Sequence, residues 1–341
     1  MKLIRRCGLT LTMVAACTMA GAQEAGAPQW VNISDALVKE ITDSGAKIAW
    51  PGQTAGITVD RTTGHVYLVI PGQGLWRSTD RGRSYTRCDE KTVSGRCETG
   101  YSLNFDPAGQ RLACFMLDGK CAMTLDGGKT WHAMKDVGRN WDYAAVDWSD
   151  PEAKAIFAAR HESGGEMYLS TDAGKTWKMI GKDKTFAAVG IFDEKTLVTT
   201  KGEGILRSTD GGQTWTKVSD FQPVGRVAIP FRGATWWLAK EGLIITTDKG
   251  ATWTRRTAPV EAAWGPMFGK DEKHIVVAGN KGFFETTDGG ETWKLAAPLP
   301  PDKEFRSSMP GWFLNVAWDP NADVFYASRM GRPAYKFERR P

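Results

Sequence analysis

Asp142 and Glu162 are the two carboxylates best placed to act as a general acid and base. They occur in NWDYAAV and ARHESGG, where they flank Arg160 and His161. Hydrolytic or lyase chemistry needs one positioned group that delivers a proton and another that removes one or attacks. His161 offers a second possible base. A plain reading competes with this one, since a lone hairpin histidine is commonly solvated.

Two further sets of residues recur at equivalent places along the chain. Arg160, Lys201, Lys240 and Arg329 each end a strand-like run, with Asn280 at the related place in VAGNKG and with Glu203 and Glu241 beside two of them. Trp50, Tyr101, Trp141, Tyr143, Trp264 and Trp312 stand just before or at the start of another strand-like run. A ring of cations around aromatic rings suits an anionic ligand with flat faces, such as a glycan containing uronate or sialate. The competing reading makes the charges ordinary turn residues and the aromatics packing. No glycine-rich phosphate loop leading into a helix, no nucleophile elbow and no histidine cluster is present, so neither cofactor nor metal is expected.

The elements that position these residues follow from a repeat. STDGGQTW at Ser208 has five relatives: STDRGRSY at Ser78, TLDGGKTW at Thr124, STDAGKTW at Ser170, TTDKGATW at Thr246 and TTDGGETW at Thr286. Their aspartates, Asp80, Asp126, Asp172, Asp210, Asp248 and Asp288, are separated by 46, 46, 38, 38 and 40 residues. That period marks propeller blades or stacked units. Each unit carries four short β-type runs, as in YAAVDW, AIFAAR, EMYLSTD and TWKMI, separated by Gly, Asp and Lys turns. After the sixth motif three runs remain, FLNVAWD, VFYASRM and PAYKFER, and the missing fourth is matched by Gln29-Trp30-Val31-Asn32. An all-β, seven-bladed propeller closed by its N-terminal strand is therefore expected over residues 23–341.

The motif resembles the Asp-box, or BNR, repeat of sialidases, of a two-propeller xyloglucanase family, of sortilin-type receptors and of a photosystem II assembly factor family. The resemblance covers residues 78–293 and implies the propeller. It also implies that ligands meet the face opposite the Asp boxes, where the candidate residues fall. The sialidase signature is missing, because no early Arg-Ile-Pro occurs and Ala228-Ile229-Pro230 is late and lacks the arginine. The xyloglucanase cleft needs two propellers and this chain has one. The Gly-Trp-Ala-Val-Gly type of strand associated with the assembly factors is absent too.

Residues 1–22 have a basic start, a short apolar run and small residues, the layout of an export signal. Release after Ala22 is one outcome; lipidation at Cys17 of Val14-Ala15-Ala16-Cys17 is the other, and would place the protein on a membrane. Without Lys2, Arg5 and Arg6 the formal charge falls from +5 to +2, which argues against nucleic acid as a partner. Cys88, Cys97, Cys114 and Cys121 then remain, and an oxidising compartment favours disulfides Cys88–Cys97 and Cys114–Cys121. The expected protein is a secreted or periplasmic monomer that binds an anionic glycan, with its cleavage as a further expectation; a noncatalytic, partner-binding or assembly protein is the alternative.

Overall fold

The computed structural model describes residues 29–138, 140–181, 185–259, 261–302, 305 and 314–339. They form seven four-stranded antiparallel sheets. Six follow chain order over residues 57–87, 103–133, 141–180, 189–219, 229–256 and 262–297, and are called the first to sixth blades. The seventh takes three strands from residues 314–338 and its outer strand from Trp30–Asn32. Trp30 lies opposite Phe337, Val31 opposite Lys336 and Asn32 opposite Tyr335. Both chain ends are thereby held in one sheet, and every blade is completed to four strands.

Each Asp box builds the turn between third and fourth strands by the same set of bonds. In the fourth blade Ser208 Oγ donates to Asp210 Oδ1 (2.8 Å), and Gly212 N–H donates to Ser208 Oγ (2.9 Å). Thr214 donates its N–H to Asp210 Oδ1 (2.9 Å) and its hydroxyl to Oδ2 (2.6 Å). The other five boxes repeat these bonds. So many donors favour the charged form, and the Thr214 hydroxyl first among them draws the Asp210 carboxyl down to about 2. The glycine that closes the turn has φ of +82° at Gly212, a conformation that a Cβ would strain.

Three of the tryptophans that end the boxes, and Trp30 of the closing strand, bond the neighbouring blade. Trp131 Nε1 donates to Cys88 O (2.6 Å), Trp177 to Lys135 O (3.1 Å), Trp293 to Thr257 O (3.2 Å) and Trp30 to Pro298 O (2.9 Å). Every one of those carbonyls lies just past the outer strand of the preceding blade. Trp215 and Trp253 bond Gly212 O and Gly250 O of their own boxes instead.

One element is not expected from the repeat. Residues Asp35–Asp43 form a helix whose Leu37 and Ile41, one turn apart, are buried among Ile57, Val59, Val66 and Leu68 of the first blade. Asn32 Oδ1 accepts the N–H groups of Ser34 (2.9 Å) and Asp35 (3.2 Å) at its start. Ser34 Oγ also accepts the Ala334 N–H (2.9 Å), which ties the helix to the seventh blade.

The expected disulfides are corrected: Cys88, Cys97, Cys114 and Cys121 carry free thiols. In the second blade Cys114 pairs with Ala122, so Cys121 faces away from it, and Cys121 Sγ accepts the Met116 N–H (3.1 Å). Cys88 sits beyond the outer strand of the first blade, whereas Cys97 N–H bonds Ala55 O beside the inner one. Burial pushes Cys88 and Cys121 up to about 12, so few thiolates form at neutral pH.

Two outcomes follow from the fold. Deleting residues 29–34 removes the outer strand and the Trp30 contacts with Phe283 and Phe337, and should lower Tm by at least about 5 °C; an unchanged melt would refute the closure. Peptide mapping without reduction should return four unpaired thiols that react slowly until the protein is unfolded, and any bridged peptide would contradict it.

Candidate functional site

Asp142 lies at a bulge in the inner strand of the third blade, between the paired residues Trp141 and Tyr143. The bulge turns its side chain onto the face opposite the Asp boxes. Its main-chain oxygen is fixed by Thr99 Oγ1 (2.8 Å) and Ser102 Oγ (2.9 Å). There Asp142 Oδ1 meets His161 Nδ1 at 2.6 Å, with both side chains buried. His161 Nε2 is left pointing outward, 3.6 Å from Glu162 Oε2, whose side chain is 64% exposed.

Sequence reasoning missed a third carboxylate in this group, Glu98. It belongs to the link between the first and second blades, outside the repeat, so no blade alignment points to it. Its side chain is buried and Oε2 has no hydrogen-bond partner; Arg96 Nε, at 3.6 Å, gives an ion pair only. Burial pushes both Glu98 and Asp142 above the usual carboxylate range, against the pull of His161. Such groups hold a proton further toward neutrality, while the exposed Glu162 is open to ligand.

The sector continues outward from this group. Arg96 also pairs with Asp118, and its guanidinium lies 4.6 Å from the ring centre of Trp50, a side chain left 69% exposed. Asn140 accepts the His161 N–H (3.0 Å) and donates to Gly119 O (2.8 Å). Asn140, Gly119 and Asp118 line a cavity of about 540 Å3 with Lys91, Thr92 and Lys120. The Asp142–His161 pair, Glu98, Glu162, an exposed aromatic and a polar cavity therefore share one edge of the first three blades. Among the described residues no group of three or more His, Cys, Asp or Glu is arranged to hold a metal ion.

The remaining expected residues divide. Arg160 faces Glu166 (3.0 Å) and donates to Gly138 O (3.1 Å), beside the sector. Lys201 and Glu203 are exposed in the fourth blade. Lys240 donates to Gln222 Oε1 (2.6 Å) and Glu241 accepts the Gln222 N–H (3.1 Å), which fastens a fifth-blade hairpin. Arg329 ends the second strand of the seventh blade and is half-buried. The aromatic platform is corrected more sharply, because Tyr101, Trp141, Tyr143 and Trp264 are all buried. Tyr101, in the link before the second blade, and Trp264 of the sixth blade pack as a tilted pair with centroids 4.7 Å apart. Trp141 packs on Trp177 (4.5 Å), and Tyr143 donates to Ala187 O (2.8 Å). Trp50 is the exposed member, and Trp312 lies outside the described residues.

Comparison with known proteins agrees with the architecture. The BNR/Asp-box repeat family matches residues 168–179 and 206–217. No curated protein matches the chain in sequence. Among solved structures, YCF48 bound to D1 peptide is 13% identical, with a TM-score of 0.49 over 92% of this chain and 96% of that one. An ancestral GH74 enzyme is 13% identical, with a TM-score of 0.51 over 85% of this chain and 45% of the other. A chain of a mitotic checkpoint complex is 8% identical, with a TM-score of 0.53 over 98% of each. At such identities the likeness is one of fold.

The buried carboxyl of Glu98 gives a check on the site. A raised folded-state pKa means that the charged form destabilises the fold once pH exceeds the unfolded value, and fully so above the folded one. Glu98→Gln should therefore raise Tm at pH 7.5, and the gain should shrink as pH falls toward 4. A variant that is less stable than the parent at pH 7.5 would show Glu98 held as a favourable ion pair instead.

Proposed function

We propose that this propeller binds an acidic glycan on the face opposite its Asp boxes, at the edge of the first three blades. The observation that carries the reading is the joining of Trp50, Arg96, the cavity beside Asn140 and the Asp142–His161 pair into one sector. Trp50 supplies a flat apolar face for a sugar ring, while Lys91, Lys120 and Arg160 supply charge for a uronate or sialate group. The other residues read from sequence, Lys201, Lys240 and Arg329, extend the same face in later blades.

Cleavage is the further step of the proposal. His161 is held through Nδ1 by Asp142 and presents Nε2, and Glu162 lies within reach of ligand. Asp142, whose carboxyl burial pushes up, would pass a proton to His161 Nδ1 as the Nε2 proton goes to a leaving oxygen; Glu162 would act as base or nucleophile. Export through the N-terminal segment belongs to the same reading. A second reading, capture of a protein partner, is favoured by Trp50 itself, since an exposed tryptophan braced by arginine is a common anchor at protein interfaces.

A glycan array followed by a hydrolysis screen, run on the chain without residues 1–22, tests this. Trp50→Ala should weaken binding of acidic glycans by about tenfold, and Glu162→Gln should remove turnover while binding persists. An array without acidic-glycan hits would sink the proposal. Turnover unaffected by Glu162→Gln would sink the assigned chemistry alone.

A further inference from the structure

A second cavity, of about 480 Å3, opens on the other face, among the loops that join first and second strands. Pro107, Trp148, Phe192 and Phe231 give it an apolar wall, with Arg61 and Arg232 at its rim. These residues come from the first to fifth blades, so the cavity sits at the Asp-box end of the central channel.

Arg61 reaches across the ring. It donates to Pro107 O of the second blade (3.1 Å) and to Gly269 O of the sixth, and lies 4.9 Å from the ring centre of Phe231 in the fifth. Its Nε is buried without a partner, and among the described residues no carboxylate stands within ion-pair distance of it. Arg232 lies 5.6 Å from the same Phe231 ring centre. Two guanidinium groups therefore share one aromatic ring.

The nearby carboxylates have other partners. Asp60 accepts from Thr62 N–H (2.8 Å) and hydroxyl (2.7 Å), Asp106 pairs with Arg111 (2.6 Å), and Asp147 holds Ser149 (2.5 Å). Asp193 pairs with Lys249 (2.8 Å), and Asp271, close enough to Arg232 to feel its charge, accepts the N–H groups of Lys273 (2.9 Å) and His274 (3.2 Å); Glu272, 3.9 Å from Arg232, makes a loose contact. Burial and the neighbouring Arg232 act against the charge on Arg61, and Asp60 offsets them in part. A bound anion would relieve that repulsion, and a carboxylate matches the guanidinium donors in shape.

We propose that this cavity binds a small organic anion with a flat apolar body, an arylcarboxylate in class. Its ring lies against the apolar wall and its carboxylate faces Arg61 and Arg232. The site stands on residues remote from the glycan sector, and neither proposal depends on the other.

The test titrates the chain without residues 1–22 with 1-naphthoate and with its neutral isostere 1-naphthamide, following heat or tryptophan fluorescence. Naphthoate should bind saturably and at least about tenfold more tightly than the amide. Arg232→Gln, at an exposed side chain whose loss spares the cross-channel bonds of Arg61, should weaken naphthoate by at least about threefold and narrow the difference. Lys129→Gln, which removes a cation on the same face away from the cavity, should leave both affinities unchanged. Absent saturation, equal affinity for acid and amide, a smaller effect of Arg232→Gln, or an equal effect of Lys129→Gln would each overturn the assignment.

Discussion

The ring depends on a bond repeated between blades: an indole N–H donated to the carbonyl that follows the preceding outer strand. Trp131, Trp177, Trp293 and Trp30 each make it. A bare antiparallel sheet offers its neighbour only side-chain packing, which tolerates sliding. The indole bond adds a fixed point at the rim and half-buries the ring beside it. The Asp-box carboxylate sets up the turn from which that indole departs. Its oxygens are occupied by the turn, which removes all six box aspartates from any part in chemistry.

A closed ring creates an axis, and the chain blocks that axis in two ways. Tyr101, just ahead of the second blade, packs tilted against Trp264 of the sixth, while Arg61 bridges the first blade to the second, fifth and sixth. At one end the plug is apolar and complete enough to bury both rings. At the other the plug is a cation beside a cavity. The two faces of one channel are thereby given different chemistry: the polar group around Asp142 and His161 is displaced to the side of the apolar plug, and the arginine end keeps an opening on the axis.

The sequence showed the scaffold far better than the site, for physical reasons. Repetition made the blades, their number and the closing strand at Trp30 legible, because every copy must satisfy the same turn and the same neighbour. The helix Asp35–Asp43 occurs once and has no copy to reveal it. Aromatic residues at strand starts are equally apolar whether they point to solvent or across the channel, so Tyr101 and Trp264 looked like Trp50. Asp142 and His161 were found because they flank one strand end each in the same blade; Glu98 was hidden in a link, and its importance comes from burial, which composition does not show. The cysteines misled because even number and apparent compartment say nothing of register, and the Cys114–Ala122 pairing turns Cys121 away.

The spacing of the boxes nevertheless contains a clue to the site. The first two steps are 46 residues and the next two are 38, although all these blades have four strands. The extra residues must lie in connections. They account for the long link from Cys88 to Ser102, which brings Arg96 and Glu98, and for longer loops in the third blade such as the hairpin carrying His161 and Glu162. A blade at minimum length has just enough chain to complete its turns and reach its neighbour, so its residues are committed to the ring. Chain beyond that minimum is free of the repeat's demands and can hold a buried carboxylate such as Glu98, ion-paired with Arg96 but with Oε2 left without a hydrogen bond. Polar chemistry in this propeller accordingly gathers where the period is longest, and the departures from the repeat, more than the repeat itself, locate it.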